Sequence, residues 1–439
     1  MQSRLLPTSM ILIFFSVNFC HAQISLRKKI NIDDNWKFHF GHAANAEKDF
    51  NYSIATIFSK SGAASGTAID TRFNDSTWRT LDLPHDWAVE LPFENSTNFG
   101  VESHGYKPVG GGYPATSIGW YRRHLSIARA DSGTRFQIQF DGIFRDAKIW
   151  INGFYLGNNM SGYTGASYDI TDYIKFDRDN VVVVRVDATQ YEGWFYEGAG
   201  IYRHVWLNQY NNVHIPEGGV FVYTDVHNKT AIVNIETVVE NQDIEAANCT
   251  VYSYITDREG NKLAETKEQP LSFRVNGRET IKQKIALANP ILWSLENPYL
   301  YRVVSVVRSG DHIVDIVKQR FGIRTLRFDG NEGFFLNNVH VKIHGTNNHQ
   351  DHAGVGSALP DQLQYYRIRL LKNMGVNAYR TSHNPPTPEL LDACDSLGML
   401  VLDENRLLNS SAEYLRLFET MILRDRNHPS VFLWSIGNE

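Results

Sequence analysis

The sequence predicts a multidomain chain: a β-sandwich, an immunoglobulin-like β-sandwich and the first half of a (β/α)8 TIM barrel. Up to residue 323, short runs of alternating apolar and polar residues are broken by Gly, Asn and Asp, which is typical of strands and turns. From residue 324 onward, apolar strands alternate with helices, which indicates a parallel sheet covered by helices. The length of 439 residues agrees, since it suits about three domains.

The composition excludes several classes of protein. The chain has 43 Lys and Arg against 48 Asp and Glu, a net charge of −5, and both signs are mixed along it. Nucleic acid is therefore not an expected partner, because such binding needs a basic face. The 24 Phe, 21 Tyr and 9 Trp suit strands and, where they are exposed, the faces of sugar rings.

Residues 1–22 read as a cleaved secretory leader. They combine an Arg near the start, a short apolar run and small residues before Gln23. The run is shorter than the roughly 20 residues that a membrane span needs, and no later segment qualifies. We therefore expect an exported protein, periplasmic or extracellular, without a membrane span; lipidation at Cys20 is a weaker alternative. Only Cys249 and Cys394 follow the leader, so no disulfide framework is expected.

Residues 23–212 form the first predicted sandwich. Apolar side chains occupy every second position in RFQIQF (135–140) and KIWING (148–153). Asn152-Gly153 between two such runs predicts a two-residue hairpin. Because no clear amphipathic helix interrupts these runs, we expect an all-β domain.

Residues 213–323 repeat this pattern in a smaller unit. Runs such as AIVNIETVVEN and YRVVSVVRSG are separated by polar turns. Some seven strands in about 110 residues favour an immunoglobulin-like sandwich. The Cys and Trp spacing of antibody domains is missing, so only the architecture is predicted.

Residues 324–439 are expected to form half of a parallel barrel. Pro360 and Asp361 open one helix and Gly375 ends it. The predicted strands are 341–344, 376–383, 399–405 and 430–439, and the predicted helices are 359–375, 387–398 and 411–428.

Polar residues gather at the carboxyl end of each predicted barrel strand. Active sites of (β/α)8 barrels lie at that face, so these groups should converge on one pocket. Because four strands leave sheet edges open, we expect the chain to be a piece truncated within its barrel. The groups are His344 with Asn347 and Asn348, Arg380 with Ser382 and His383, Asp403 with Glu404 and Asn405, and Asn438 with Glu439.

Glu439 is the strongest catalytic candidate. A carboxyl group at the mouth of a pocket with apolar walls has a raised pKa and can donate a proton near neutral pH. Cleavage of a glycosidic bond needs such a donor for the leaving oxygen. By position alone, a surface Glu at a strand end is the simpler interpretation.

Two long motifs favour the catalytic interpretation of Glu439 over a surface position. RDRNHPSVFLWSIGNE (424–439) and NAYRTSHNPP (377–386) resemble the signatures of glycoside hydrolase family 2, which contains β-galactosidases, β-glucuronidases and β-mannosidases. FDGIFRDAKIWINGFYLG, LWSLENPYLY and HGTNNHQDH are similar to further segments of that family, in the same order. The resemblance covers the chain after the leader, and it implies a jelly-roll, sugar-binding first sandwich.

The resemblance implies roles for four residues. Glu439 is the general acid/base, and Asn438 donates to the sugar 2-hydroxyl. His383 hydrogen-bonds the sugar ring; the alternative is a histidine that only stiffens its loop. Arg380 orients nearby carboxylates, as a planar guanidinium does through bidentate bonds.

Four further residues are weaker candidates for substrate binding. Asp403 and Glu404 either bind substrate or, equally, support Arg380. The motif places His349 among the groups that line the pocket. Trp194 lies in an aromatic and acidic loop of the first sandwich that could reach the barrel mouth and stack on a sugar; a core Trp is the commoner outcome.

No cofactor and no metal are expected. A zinc site from His340, His344, His349 and His352 is disfavoured, because they lack a tight helical spacing and a cysteine partner. Some β-galactosidases of the family hold Mg²⁺ through an acidic residue and a His soon after the third strand, but RLLNS (406–410) offers neither.

The predicted function is that of a retaining exo-glycosidase on terminal β-linked sugars. β-Galactosidase is preferred; the alternatives are a β-glucuronidase and a non-catalytic carbohydrate-binding protein on the same scaffold. The family's nucleophile, a second Glu on a later strand, lies beyond this sequence, so the 439-residue chain alone is expected to be inactive. A carbohydrate is the expected partner, and a homo-oligomer is left open.

Overall fold

The structure is a computed structural model that describes residues 27–43, 66–93, 107–110, 112–193 and 195–438. The predicted leader, Trp194 and Glu439 lie outside these residues. Within the described ranges, no helix is both long and apolar enough to cross a membrane.

Two antiparallel sheets face each other in the first domain, around a core that includes Phe136, Ile138 and Phe140. These three side chains of one strand are at most 2 % exposed, as the period of two in RFQIQF predicts. The strands are β1 (Lys28–Asn31), β2 (Trp36–Phe40), β3 (Arg79–Leu81), β4 (Ile118–Ser126), β5 (Arg135–Phe140), β6 (Ala147–Ile151), β7 (Phe154–Asn159), β8 (Ala166–Asp169), β9 (Asp179–Asp187) and β10 (Val205–Tyr210). The sheet orders are β1-β10-β5-β8 and β3-β2-β4-β9-β6-β7.

The predicted hairpin is confirmed at the turn between β6 and β7. Asn152 and Gly153 have φ angles of 51° and 86°. Positive φ at both central residues is what a type I′ turn requires, and Asn-Gly meets that requirement at the lowest cost.

The second domain is also a pair of antiparallel sheets, as the immunoglobulin-like prediction requires. The strands are β11 (Val213–His214), β12 (Val220–His227), β13 (Thr230–Asn241), β14 (Ala247–Thr256), β15 (Lys262–Glu265), β16 (Gln269–Phe273), β17 (Arg278–Ala288), β18 (Tyr301–Ser309) and β19 (His312–Phe321). In one sheet, β13 pairs with β11, β12 and β17; the facing sheet runs β15-β14-β18-β19, with β16 beside β14. Cys249 is buried in this core and Cys394 in the barrel, and both are free thiols.

The third region begins with a small antiparallel sheet and continues with a parallel one. The antiparallel sheet contains β20 (Leu326–Asp329), β21 (Gly333–Leu336) and β22 (Val339–His340), in that order. The parallel sheet contains β23 (Gly345–Asn348), β24 (Ala378–Thr381), β25 (Leu400–Glu404) and β26 (Val431–Ser435), also in chain order. The helices α1 (Asp361–Asn373), α2 (Pro388–Leu397) and α3 (Ala412–Asp425) connect the parallel strands. This alternation is the predicted partial barrel.

One predicted strand is wrong. The apolar run 341–344 is not the first parallel strand, because Val339 and His340 pair with β21 and the Val341 amide donates to the Phe334 carbonyl. The first parallel strand is the polar segment Gly345–Asn348. A short polar strand carries no apolar pattern, so periodicity alone misses it.

The barrel strands are fixed against both sandwiches by buried polar contacts. Arg203, at 2 % exposure, donates from Nη2 to the Pro385 carbonyl at 2.7 Å and to Gln350 Oε1 at 3.1 Å. Asn427 bonds the backbone of the second domain at Val220 and Val222. The Arg203 contacts place a loop of the first domain beside the carboxyl ends of the parallel strands.

Candidate active site

The four parallel strands bring their carboxyl ends to one edge of the sheet. Arg380 lies one residue before the end of β24, Glu404 ends β25, and Ser435 ends β26 opposite Glu404 in the register. Because neighbouring parallel strands end at nearly the same level, the side chains of Arg380, Glu404 and Ser435 lie side by side. This edge corresponds to the face at which barrel enzymes carry their active sites.

Glu404 is the centre of this edge. Its carboxylate has no exposed surface, and it accepts hydrogen bonds from Arg380 Nε at 2.6 Å, His383 Nδ1 at 2.6 Å and Ser435 Oγ at 2.9 Å. Its backbone amide donates to Thr381 Oγ1 at 2.9 Å. A buried carboxylate held by this many donors is a fixed negative charge around which the other groups are oriented.

Arg380 connects Glu404 to the end of the next strand. Its Nη2 donates to Asn438 Oδ1 at 2.8 Å while its Nε is held by Glu404. Because a guanidinium only donates, the Asn438 oxygen must face Arg380, and the Asn438 NH₂ group is left to donate elsewhere. The structure thus joins Arg380, Glu404 and Asn438 in one chain of hydrogen bonds.

Two histidines lie at the rim of this chain. Because Nδ1 of His383 bonds Glu404, its Nε2 is the ring atom left for another partner. The rings of His349 and His383 are 5.3 Å apart. Burial, together with the neighbouring side chains of His383 and Arg406, lowers the pKa of His349, so His349 is neutral at pH 7. Its buried Nδ1 has no hydrogen-bond partner among the described residues.

A loop of the first sandwich completes the rim. Phe195 lies with its ring 4.4 Å from that of His349 and 6.0 Å from that of His383. Arg406 holds this loop, since its guanidinium lies 5.1 Å from the Phe195 ring and donates to the carbonyls of His383 and Glu192. The first domain therefore supplies an aromatic wall to the site.

Asp403 does not join these residues, although the sequence places it beside Glu404. Neighbouring side chains on a strand point to opposite faces, and Asp403 is fully buried near Asp425 and Arg424. Burial and the Asp425 carboxylate raise the pKa of Asp403 well above its usual range. Asp403 therefore does not line the pocket. The sequence left two roles open for Glu404, binding substrate or supporting Arg380, and the structure shows the contact with Arg380.

Sequence reasoning missed three residues of the site. Phe195 follows Trp194 in the aromatic loop that the sequence predicts to reach the barrel mouth. The aromatic residues of that loop were the signal that could have identified Phe195. Arg406 follows the Asp403-Glu404-Asn405 group directly, and Ser435 comes three residues before Asn438. No pattern in the sequence shows that Arg406 would reach across to the first domain.

Two clusters elsewhere resemble metal sites but contain ion pairs. In the first, His204, Asp361 and Glu389 offer ligand atoms within 4.8 Å of one another. Burial alone would lower the pKa of His204, but hydrogen bonds to Asp33 and Asp361 raise it to about 10. A protonated imidazole has no lone pair for a metal. The second cluster is Asp392, Asp395 and His428, where the Asp395 carboxylate likewise raises the pKa of His428.

Comparison with known proteins decides the family. Residues 31–211 match the sugar-binding domain of glycosyl hydrolases family 2, residues 213–324 match a further glycosyl hydrolases family 2 model, and residues 329–439 match the family 2 TIM barrel domain. The chain belongs to glycoside hydrolase family 2. β-Galactosidases and β-glucuronidases are among its relatives, which agrees with the resemblance found in the sequence.

Three relatives give the extent of the similarity. The chain is 38 % identical over 431 residues to β-galactosidase BoGH2A of Bacteroides ovatus, which covers 95 % of the chain and 47 % of the relative. It is 32 % identical to a putative β-glucuronidase of Formosa agariphila, over 90 % of the chain and 38 % of the relative. A crystal structure of a family 2 member from Bacteroides cellulosilyticus superposes with a TM-score of 0.81 at 34 % identity, over 94 % of the chain and 52 % of that structure. The chain thus spans about half the length of these relatives.

Proposed function

We propose that this chain supplies the sugar-binding domain and the acid/base half of the active site of a retaining exo-β-galactosidase. The observation that carries the proposal is the hydrogen-bonded chain Glu404–Arg380–Asn438 at the carboxyl edge of the parallel strands. It ends one residue before Glu439, the proton donor that we propose. Membership of family 2 and the β-galactosidase relatives support this reaction.

The proposed mechanism assigns a role to each of these groups. Glu439 protonates the leaving oxygen and later deprotonates the attacking water. The NH₂ group of Asn438, oriented by Arg380, donates to the sugar 2-hydroxyl, and this bond strengthens as oxocarbenium character develops. Nε2 of His383 faces the sugar ring, and Phe195 and His349 exclude water from one side.

The nucleophile in this proposal is a second carboxylate about 5 to 5.5 Å from Glu439, the spacing of retaining enzymes. Strands β23–β26 are half of the eight that close such a barrel. We therefore expect no turnover from the 439-residue chain alone, and activity when the barrel is complete. We also propose that residues 1–22 direct export; N-terminal sequencing of the mature protein tests this.

The experiment compares sugars on the protein expressed from its complete gene. Aryl β-galactoside, β-glucuronide and β-mannoside are assayed with the wild type, with Glu439→Gln and with Glu419→Gln. Glu419 is exposed on α3, so its variant repeats the chemical change away from the site. The proposal predicts hydrolysis of the galactoside, loss of turnover with retained sugar binding in Glu439→Gln, and an unchanged Glu419→Gln.

Two other results would replace the proposal. Hydrolysis of the glucuronide alone would make the protein a β-glucuronidase, a specificity that is represented among the relatives. Sugar binding without turnover in the wild type would identify a carbohydrate-binding protein on the same scaffold. Light scattering on the same preparation determines whether the protein is a homo-oligomer.

A further inference from the structure

A basic groove lies where the immunoglobulin-like domain meets helix α2 of the barrel. Its volume is about 410 Å³, and Arg258, Arg302 and Arg320 line it together with Asn297 and Ser396. None of these residues belongs to the hydrogen-bonded chain around Glu404. The groove is therefore separate from the proposed glycosidase site.

The positive charges in the groove are not balanced by the protein. Arg302 and Arg320 are direct partners on the antiparallel strands β18 and β19, so their Cβ atoms lie about 4.5 to 5.5 Å apart on one face, where like charges repel. Asp392 of α2 pairs with Arg320. Within the described part of the chain, Arg258 and Arg302 have no carboxylate within 4.0 Å. Three guanidinium groups thus share one acidic partner.

The two uncompensated arginines are nevertheless held in place. Arg302 Nη1 donates to the carbonyl of Arg258 at 3.2 Å, and the Arg258 guanidinium lies 4.7 Å from the centroid of the Tyr299 ring. Each guanidinium has five N–H donors, so these contacts leave most donors free. Side chains that are already ordered lose less entropy when a ligand binds.

We propose that this groove binds a tetrahedral oxyanion, a phosphate or sulfate group, as the free ion or as the monoester of a sugar. A planar guanidinium matches two oxygens of such a group, and the negative charge would relieve the repulsion between Arg302 and Arg320. The volume is in the range of sites for small organic ligands, which leaves room for a sugar beside the charged group.

The test is calorimetric titration of the whole chain at fixed ionic strength in chloride. The probes are inorganic phosphate, inorganic sulfate, galactose 6-phosphate and galactose 6-sulfate. The double variant Arg258→Gln/Arg302→Gln should weaken binding at least tenfold, which is about 1.4 kcal/mol. Arg302→Lys should also weaken it, because a lysine keeps the charge and loses the fork.

Arg278→Gln is the matched control. Arg278 is exposed on β17 of the same domain and pairs with Glu240, so its variant loses one of the same charges outside the groove. If a monoester binds more tightly than its free ion, the ligand of the groove is the sugar ester. If the two bind equally, the ligand is the free ion. The proposal is overturned if wild type binds none of the four probes, or if Arg278→Gln weakens binding as much as the double variant. Circular dichroism confirms that each variant is folded.

Discussion

Replacing Glu404 with Gln should damage both the stability of the barrel region and the geometry of the site. Glu404 has no exposed side-chain surface, and its partners Arg380 and His383 are only 27 % and 13 % exposed. Removing one member of a buried ion pair costs about 3 to 5 kcal/mol. Because Arg380 can recruit some water at its exposed edge and Gln keeps one acceptor, we expect a loss of about 2 to 3 kcal/mol.

The same substitution should slow catalysis in the complete protein. Arg380 holds Asn438 while Glu404 holds Arg380, so without the carboxylate Asn438 loses its fixed position next to Glu439. A displacement of about 1 Å in a reacting group costs about 100-fold in rate. We expect a fall of that order in kcat/KM, with kcat carrying most of it, since the 2-hydroxyl contact strengthens in the transition state.

The assays are denaturant unfolding, followed at the transition of the barrel region, and steady-state hydrolysis of an aryl β-galactoside. Glu332→Gln is the control, because Glu332 is exposed and pairs with Arg327 in the same region; it should change stability by less than about 0.5 kcal/mol. If Glu404→Gln lost no more stability than this control and kept its rate, the central role of Glu404 would be refuted.

Three further substitutions test other parts of the structure. Burial raises the pKa of Glu197 to about 8, so the wild type loses unfolding free energy as pH rises from about 4.5 to 8, by up to about 4 kcal/mol. Glu197→Gln, which binds no proton, should flatten this part of a stability-versus-pH curve; an unchanged slope would contradict the assignment. Phe195→Ala should raise KM for the galactoside by about tenfold, because it removes one wall from the site beside His349. An unchanged KM would contradict the conclusion that the first domain contributes to the site. Gly153→Ala should destabilise the first sandwich by about 1 kcal/mol in thermal unfolding, because Gly153 has a φ of 86°. Gly330→Ala is the neutral control, because a Cβ at Gly330 meets no atom within 4 Å and its φ is not positive.

Much of the fold is predictable because it depends on local signals. The period of two in RFQIQF determines which face of β5 is buried, and Asn152-Gly153 determines the turn that follows β6. Strand β23 escaped prediction because the polar segment Gly345–Asn348 is held by hydrogen bonds to β24 rather than by apolar burial. Its partner is more than 30 residues away, and no local pattern records that pairing.

The site divides in the same way. Arg380, Glu404 and Asn438 were predictable as neighbours because the carboxyl ends of parallel strands share one edge. The sequence did not show which of Asp403 and Glu404 faces the site, because that depends on which face of β25 is turned toward the pocket. Phe195 and Arg406 meet across a domain boundary, and contacts between distant segments leave no spacing in a sequence.

Proton donation by Glu439 is tested most directly by the dependence of rate on the leaving group. In the protein from the complete gene, Glu439→Gln should lower kcat/KM for phenyl β-galactoside by about 100- to 10,000-fold, because a poor leaving group must be protonated as it departs. The 2,4-dinitrophenyl β-galactoside leaves without a proton, so its first bond cleavage should be nearly unaffected. Equal losses for both substrates, or no loss for either, would contradict the assignment of Glu439 as the acid.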